Sequence, residues 1–153
     1  MKTLILSLSL LLAAPALCPH AHAQSPTTTA ARDIGKTDPL RKSLLDALRG
    51  PIEKDLAQPV QFVVTTLRVQ DNWAFVVANP QTKTGQPIDY KATHYAQAIA
   101  DGVFDGGTVF ALLKADAGNW SVKEFVIGPT DVAYLAWPEQ HGAPATLFEG
   151  PAG

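Results

Sequence analysis

Leu40, Leu44, Leu48, Ile52 and Leu56 recur every four residues, joined by Leu45, while Arg41, Lys42, Asp46, Arg49, Glu53 and Lys54 fall elsewhere. That spacing predicts an amphipathic helix with a single apolar stripe. Such a stripe has to be buried against another surface, so it constrains the rest of the chain. Asp38 can cap the first free backbone N–H groups, and Pro39 suits an opening turn. Gly50-Pro51 interrupts the helix, yet the stripe keeps phase across it, which predicts a kink rather than two unrelated helices.

Beyond Pro59 the period changes from about four to two. VQFVVTTLRVQ, then Asp71-Asn72, then WAFVVANP reads as a hairpin, and TVFALLKAD, Ala117-Gly118-Asn119, WSVKEFVIGP repeats the design. Both second strands start at Asn-Trp and are expected to stop at a proline, Pro80 and Pro129. In the last strand, alternation puts Trp120, Val122 and Glu124 on one face and Ser121, Lys123, Phe125 and Ile127 on the other. Its apolar end, Val126-Ile127, predicts cover on both faces. Between the hairpins, QTKTGQPID reads as a loop and YKATHYAQAIADG as a helix closed by Asp101-Gly102. A last short helix is expected from Asp131 through Trp137, kinked or stopped by Pro138.

The fold class that follows is α+β: an N-terminal amphipathic helix packed on a four-stranded antiparallel sheet made of two hairpins, with short helices between and after them. This element order, over roughly residues 38–142, resembles that of small cystatin-like and NTF2-like domains, in which a curved antiparallel sheet wraps a helix. "NWAFV" together with "GPTDVAYLAW" also resembles small exported bacterial α+β proteins. Neither resemblance assigns a catalytic residue to a position in this chain.

The N-terminus reads as an address. Lys2, the apolar stretch from Leu4 to Leu17 and the small-x-small site Ala21-His22-Ala23 predict a signal peptide over 1–23. The expected product is periplasmic or secreted, without a membrane span after cleavage. Leu17 stands where a lipid-attachment site at Cys18 wants a small residue. Residues 24–37 read as a flexible leader, 38–142 as one domain, and 143–153 as a loose tail.

Composition excludes several chemistries. The single cysteine, Cys18, leaves with the signal, which removes disulfides and a thiol nucleophile. A formal net charge of −2 without a basic cluster argues against nucleic acid. His94 and His141 make no zinc set, and Asp101, Asp105 and Asp131 lack calcium-loop spacing. The glycines Gly102, Gly106 and Gly107 lack the Lys-Ser/Thr of a phosphate loop. Ser25, Ser43 and Ser121 sit in no nucleophile elbow. No catalytic residue, metal or cofactor is assigned.

Candidate contact residues remain. Asp131 reads first as a cap for the last helix, with Thr130, and second as a functional carboxylate. Glu124 interrupts an otherwise apolar strand face, without an identifiable carboxylate partner. Of the aromatics Trp73, Trp120, Trp137, Tyr90, Tyr95 and Tyr134, most are expected in the core. Trp137 and Tyr134, three apart on the last helix, are the preferred contact pair, with Trp120 beside the rim where a pocket would open. The sequence therefore favours an exported, non-enzymatic domain that binds an envelope protein or small ligand, of inhibitor, immunity or accessory type. The rivals are a small enzyme using Asp131 or Glu124 in a pocket, and a structural envelope component. Oligomeric state is left open.

Overall fold

The computed structural model describes residues 29–150. The expected signal peptide and leader residues 24–28 lie outside them. The leucine stripe becomes α1 (Leu40–Leu56), one helix that runs through Gly50-Pro51, with Leu44, Leu48, Ile52 and Leu56 buried. Asp38 works at its start: Oδ1 accepts the Leu40 N–H at 2.9 Å and Oδ2 accepts from Arg32 at 2.6 Å. These bonds hold the Asp38 carboxyl below its ordinary range, the Arg32 contact most of all.

The sheet has five strands: β1 (Arg32–Asp33), β2 (Val60–Gln70), β3 (Trp73–Thr82), β4 (Val109–Asp116) and β5 (Asn119–Ile127). They form an antiparallel meander in chain order. Both predicted hairpins are present, closed at Gln70↔Trp73 and Asp116↔Asn119. The expectation of four strands is corrected by β1, which falls in the supposed flexible leader. Arg32 pairs with Val69, the Ile34 N–H donates to the Leu67 carbonyl at 2.7 Å, and Ile34 is buried. Two polar residues have no alternation to read, so this strand left no sequence signal.

Two bulges decide which side chains share a face. In β2 the register shifts between Val64 and Thr66; in β5, Leu112 pairs with Glu124 and Leu113 with Val122, leaving Lys123 extra. The inserted residue reverses the alternation. Trp120, Val122, Phe125 and Ile127 therefore lie together against the helix-side core, while Val126 joins the opposite side. The expected division of β5 is corrected accordingly. Pro80 does not end β3, which runs two residues further. Beyond Ala78↔Val109 no β4 residue pairs with β3, so the missing N–H of Pro80 breaks no ladder on that side.

α1 packs on β2, β4 and β5. Ala74, Ala78 and Ala111 under the helix side are small and buried, which lets the helix approach. The opposite face is covered by the segment 133–148, which combines a 3₁₀ turn (Ala133–Ala136), α3 (Trp137–His141) and a second 3₁₀ turn (Ala145–Leu147). Pro138 opens α3 instead of stopping a helix, as a residue without an N–H can in a first turn. Nor does the chain loosen between Gly142 and Phe148; of the expected tail, residues 151–153 lie outside the described residues. Ala143 and Leu147 are buried, and the Phe148 ring lies 4.9 Å from that of Phe75. Burial of these apolar groups outweighs the looseness expected of a terminal segment.

The connection 83–108 is compact. The helix expected over it is split into a 3₁₀ turn (Tyr90–Ala92) and α2 (Ala96–Ala100), because the Thr93 hydroxyl donates to the Tyr90 carbonyl at 2.7 Å and accepts from the Tyr95 N–H at 3.2 Å. Phe104 packs on Tyr90 and Tyr95, 5.0 and 5.1 Å between ring centroids. Gly107 and Gly128 form the floor of this trio. A Cβ on Gly107 would stand 2.4 Å from the Tyr90 ring, and one on Gly128 (φ +63°) 2.5 Å from Phe104.

Candidate functional site

An open cleft of ≈ 650 Å³ is lined by Gly50, Pro51, Lys54, Asp55, His94 and Phe125. Local sequence explains its shape. Gly50 and Lys54 are one i,i+4 pair on α1, and Pro51 and Asp55 are another, so the four line one flank of the helix. Gly50 brings no side chain and Pro51 a short ring, which lowers that flank where a longer residue would fill it. Phe125 on β5 forms the apolar wall opposite, and His94 from the 83–108 connection sits at the rim.

Three bonds fix this geometry. Glu53 Oε1 accepts the Val60 N–H at 2.9 Å, which ties the end of α1 to β2 and lowers the Glu53 pKa. Lys83 donates to the Val60 carbonyl at 2.8 Å and pins the start of the connection there. The Tyr95 hydroxyl donates to Asp55 Oδ2 at 2.8 Å, joining the connection to the helix across the cleft. Burial, with that bond to Asp55, pushes the Tyr95 pKa up, so at neutral pH the phenol keeps its proton and remains a donor. Burial pushes the neighbouring Tyr90 up to about 12, and its hydroxyl donates to the Gly107 carbonyl at 3.1 Å.

Asp55 thus has one oxygen engaged and one facing His94, whose Nε2 stands 3.7 Å from Oδ1. That separation is longer than a hydrogen bond. The His94 ring rests on Tyr95, 4.1 Å between centroids. Lys54, exposed, has no ion-pair partner among the described residues. The cleft therefore presents one oriented carboxylate, one ammonium and an apolar wall.

The residues favoured from sequence lie elsewhere. Trp137 is 1 % exposed and packs edge-on to Phe75, and Tyr134 is half-buried between Phe75 and Phe110. Both hold the segment 133–148 on the sheet, so neither ring offers a free face as a pair. Trp120 is half-buried against the helix-side core. Glu124 meets His141 at 2.5 Å, joining β5 to α3. Asp131 is exposed, and the turn that follows it starts at Val132 without a side-chain cap, which corrects the capping expectation. The 3₁₀ turn leaves few N–H groups for Asp131 to satisfy. The cleft therefore lies across the sheet from Trp137, beside Phe125, and is lined by none of these residues. Among the described residues, no group of three or more His, Cys, Asp or Glu is placed to hold a metal ion, Asp101, Asp105 and Asp131 included. No helix there is long and apolar enough to cross a membrane.

Sequence reasoning passed over Asp55, His94 and Phe125. The available signal was Gly50-Pro51, a helix-breaking pair kept inside a helix. Compared with known protein families, curated proteins and solved structures, the chain matches none. The geometry of the cleft therefore carries the functional argument.

Proposed function

We propose that this is an exported binding domain of the cell envelope, non-enzymatic, that receives its ligand or the protruding part of a partner protein in the cleft between α1 and the 83–108 connection. The observation that carries this reading is the cleft's cost. Gly50 and Pro51 lie within α1 and are unfavourable there by roughly 1 and 3 kcal/mol relative to alanine. A Cβ on Gly50 would meet open space, so nothing in the packing demands glycine. Residues that lower stability while opening a concave site are expected where binding is retained at the expense of stability. The site also has a polar anchor held from behind by Tyr95, as a preorganised binding site requires. An antiparallel sheet with a helix packed on one face supports the cystatin-like or NTF2-like reading of the fold.

The decisive comparison uses Gly50→Leu, which fills the flank of the helix with a good helix former. The purified protein, immobilised and exposed to envelope extract from its host, should retain a component that Gly50→Leu does not, although Gly50→Leu melts higher. Equal retention by the two proteins, or none by either, would reject the cleft as the binding site.

A further inference from the structure

Resting on the reading of this cleft as a binding site, we infer that its occupant is a short zwitterionic peptide, with its ammonium end at Asp55, its carboxylate end at Lys54 and an apolar side chain against Pro51 and Phe125. Tyr95 fixes Asp55 through Oδ2, and the 3.7 Å gap to His94 leaves Oδ1 with acceptor capacity toward the cleft. Lys54 brings an ammonium with no ion-pair partner among the described residues. A wholly apolar ligand would strip water from both charges without replacing it. A ligand with one charge would match one and leave the other.

Spacing selects among zwitterions. Successive residues leave a helix roughly 100° apart, so the Lys54 and Asp55 side chains set out from that flank in different directions. A free amino acid, whose charges share one carbon, spans a shorter gap between charges than a peptide and leaves more of the ≈ 650 Å³ cleft to water. Two or three residues of extended chain, at roughly 3.3–3.6 Å each, separate the charges and bring a side chain to Phe125.

The test follows the protein's amide NMR shifts during titration with phenylalanyl-leucine, its N-acetyl form, its C-terminal amide, and free leucine. The unblocked dipeptide should move the amides of Lys54, Asp55, His94 and Tyr95, and either block should weaken binding about tenfold, as loss of one charged hydrogen bond does. Lys54→Ala should make the protein indifferent to amidation, and Asp55→Asn indifferent to acetylation. Equal affinity for the blocked forms would overturn the zwitterion while leaving the cleft as a binding site. Leucine binding as tightly as the dipeptide would overturn the peptide in favour of an amino acid. If no probe moves these amides, the peptide assignment fails, and the Gly50→Leu comparison judges the cleft independently.

Discussion

The two faces of the sheet are closed in different ways. On one, α1 lays four aliphatic residues, Leu44, Leu48, Ile52 and Leu56, over Val76, Val109, Ala111 and Leu113. On the other, the irregular segment 133–148 sets Tyr134, Trp137, Leu147 and Phe148 against Trp73, Phe75 and Phe110. The first closure is a regular element whose interior backbone hydrogen bonds, apart from the one Pro51 forgoes, are made within the helix. The second has only turns and a five-residue helix, so it depends on large rings and on polar ties from the sheet. A helix can give up two positions, Gly50 and Pro51, to a cleft and remain a helix. The strap has no such redundancy, which places the candidate site on the helix side.

Truncating the centre of each closure gives the largest effects. Trp137→Ala should cost ~3–5 kcal/mol and Leu48→Ala ~2–5 kcal/mol, because both side chains are fully buried and leave cavities. Urea unfolding followed by far-UV circular dichroism and by tryptophan fluorescence should give coincident transitions for both variants, since the faces share the strands between them. A Trp137→Ala protein whose fluorescence change precedes loss of secondary structure would show instead that the strap is a separate unit.

The same contrast explains what the sequence made legible. α1 was readable because five aliphatics repeat at helical period, and the hairpins because Asp71-Asn72 and Ala117-Gly118 punctuate alternating runs. The strap was not, because 3₁₀ turns have no apolar period and Pro138 reads equally as a stop or a start. Trp137 and Tyr134, three apart, looked like an exposed pair for that reason. The single extra residue Lys123 reversed the apparent faces of β5, which hid Phe125 from the helix side. The cleft's polar geometry joins Asp55 to Tyr95, 40 residues away, a closeness that no local pattern encodes.

A middle-sized effect tests the polar ties. Arg68, 8 % exposed, donates to the carbonyls of Thr146 and Leu147 at 3.4 and 3.3 Å, and Asp33 stands 3.4 Å from its Nε without hydrogen-bond alignment. Gln70 beside it accepts from the Thr146 hydroxyl at 2.8 Å. Long bonds to a poorly paired buried cation contribute little net stability, and an apolar replacement of similar length is often tolerated. Arg68→Met should therefore change global stability by about 1 kcal/mol or less. It should nevertheless speed hydrogen exchange at the amides of Leu147 and Phe148, whose own bonds close only the last 3₁₀ turn. Unchanged exchange there would mean that the rings alone hold the strap.

The smallest effect distinguishes the faces by pH. Burial raises the pKa of Tyr90 to about 12 and pushes Tyr95 up as well, and both sit in the connection that packs on the helix side. A phenol with a raised folded pKa holds its proton more tightly when folded than when unfolded. Its contribution is full below the ordinary value of 10.0 and is lost as pH rises through about 12 for Tyr90. Melting temperature should fall over that interval, and Tyr90→Phe should flatten the fall by removing one of the two phenols. Amide exchange should report the opening first in 83–108, where phenolate formation releases the Tyr90 to Gly107 and Tyr95 to Asp55 bonds. The amides of 145–148 should remain protected at the same pH. If the strap exchanged first, the face built on rings would be the more fragile of the two, and the helix-side connection would owe its order to the glycine floor under Phe104 more than to its buried phenols.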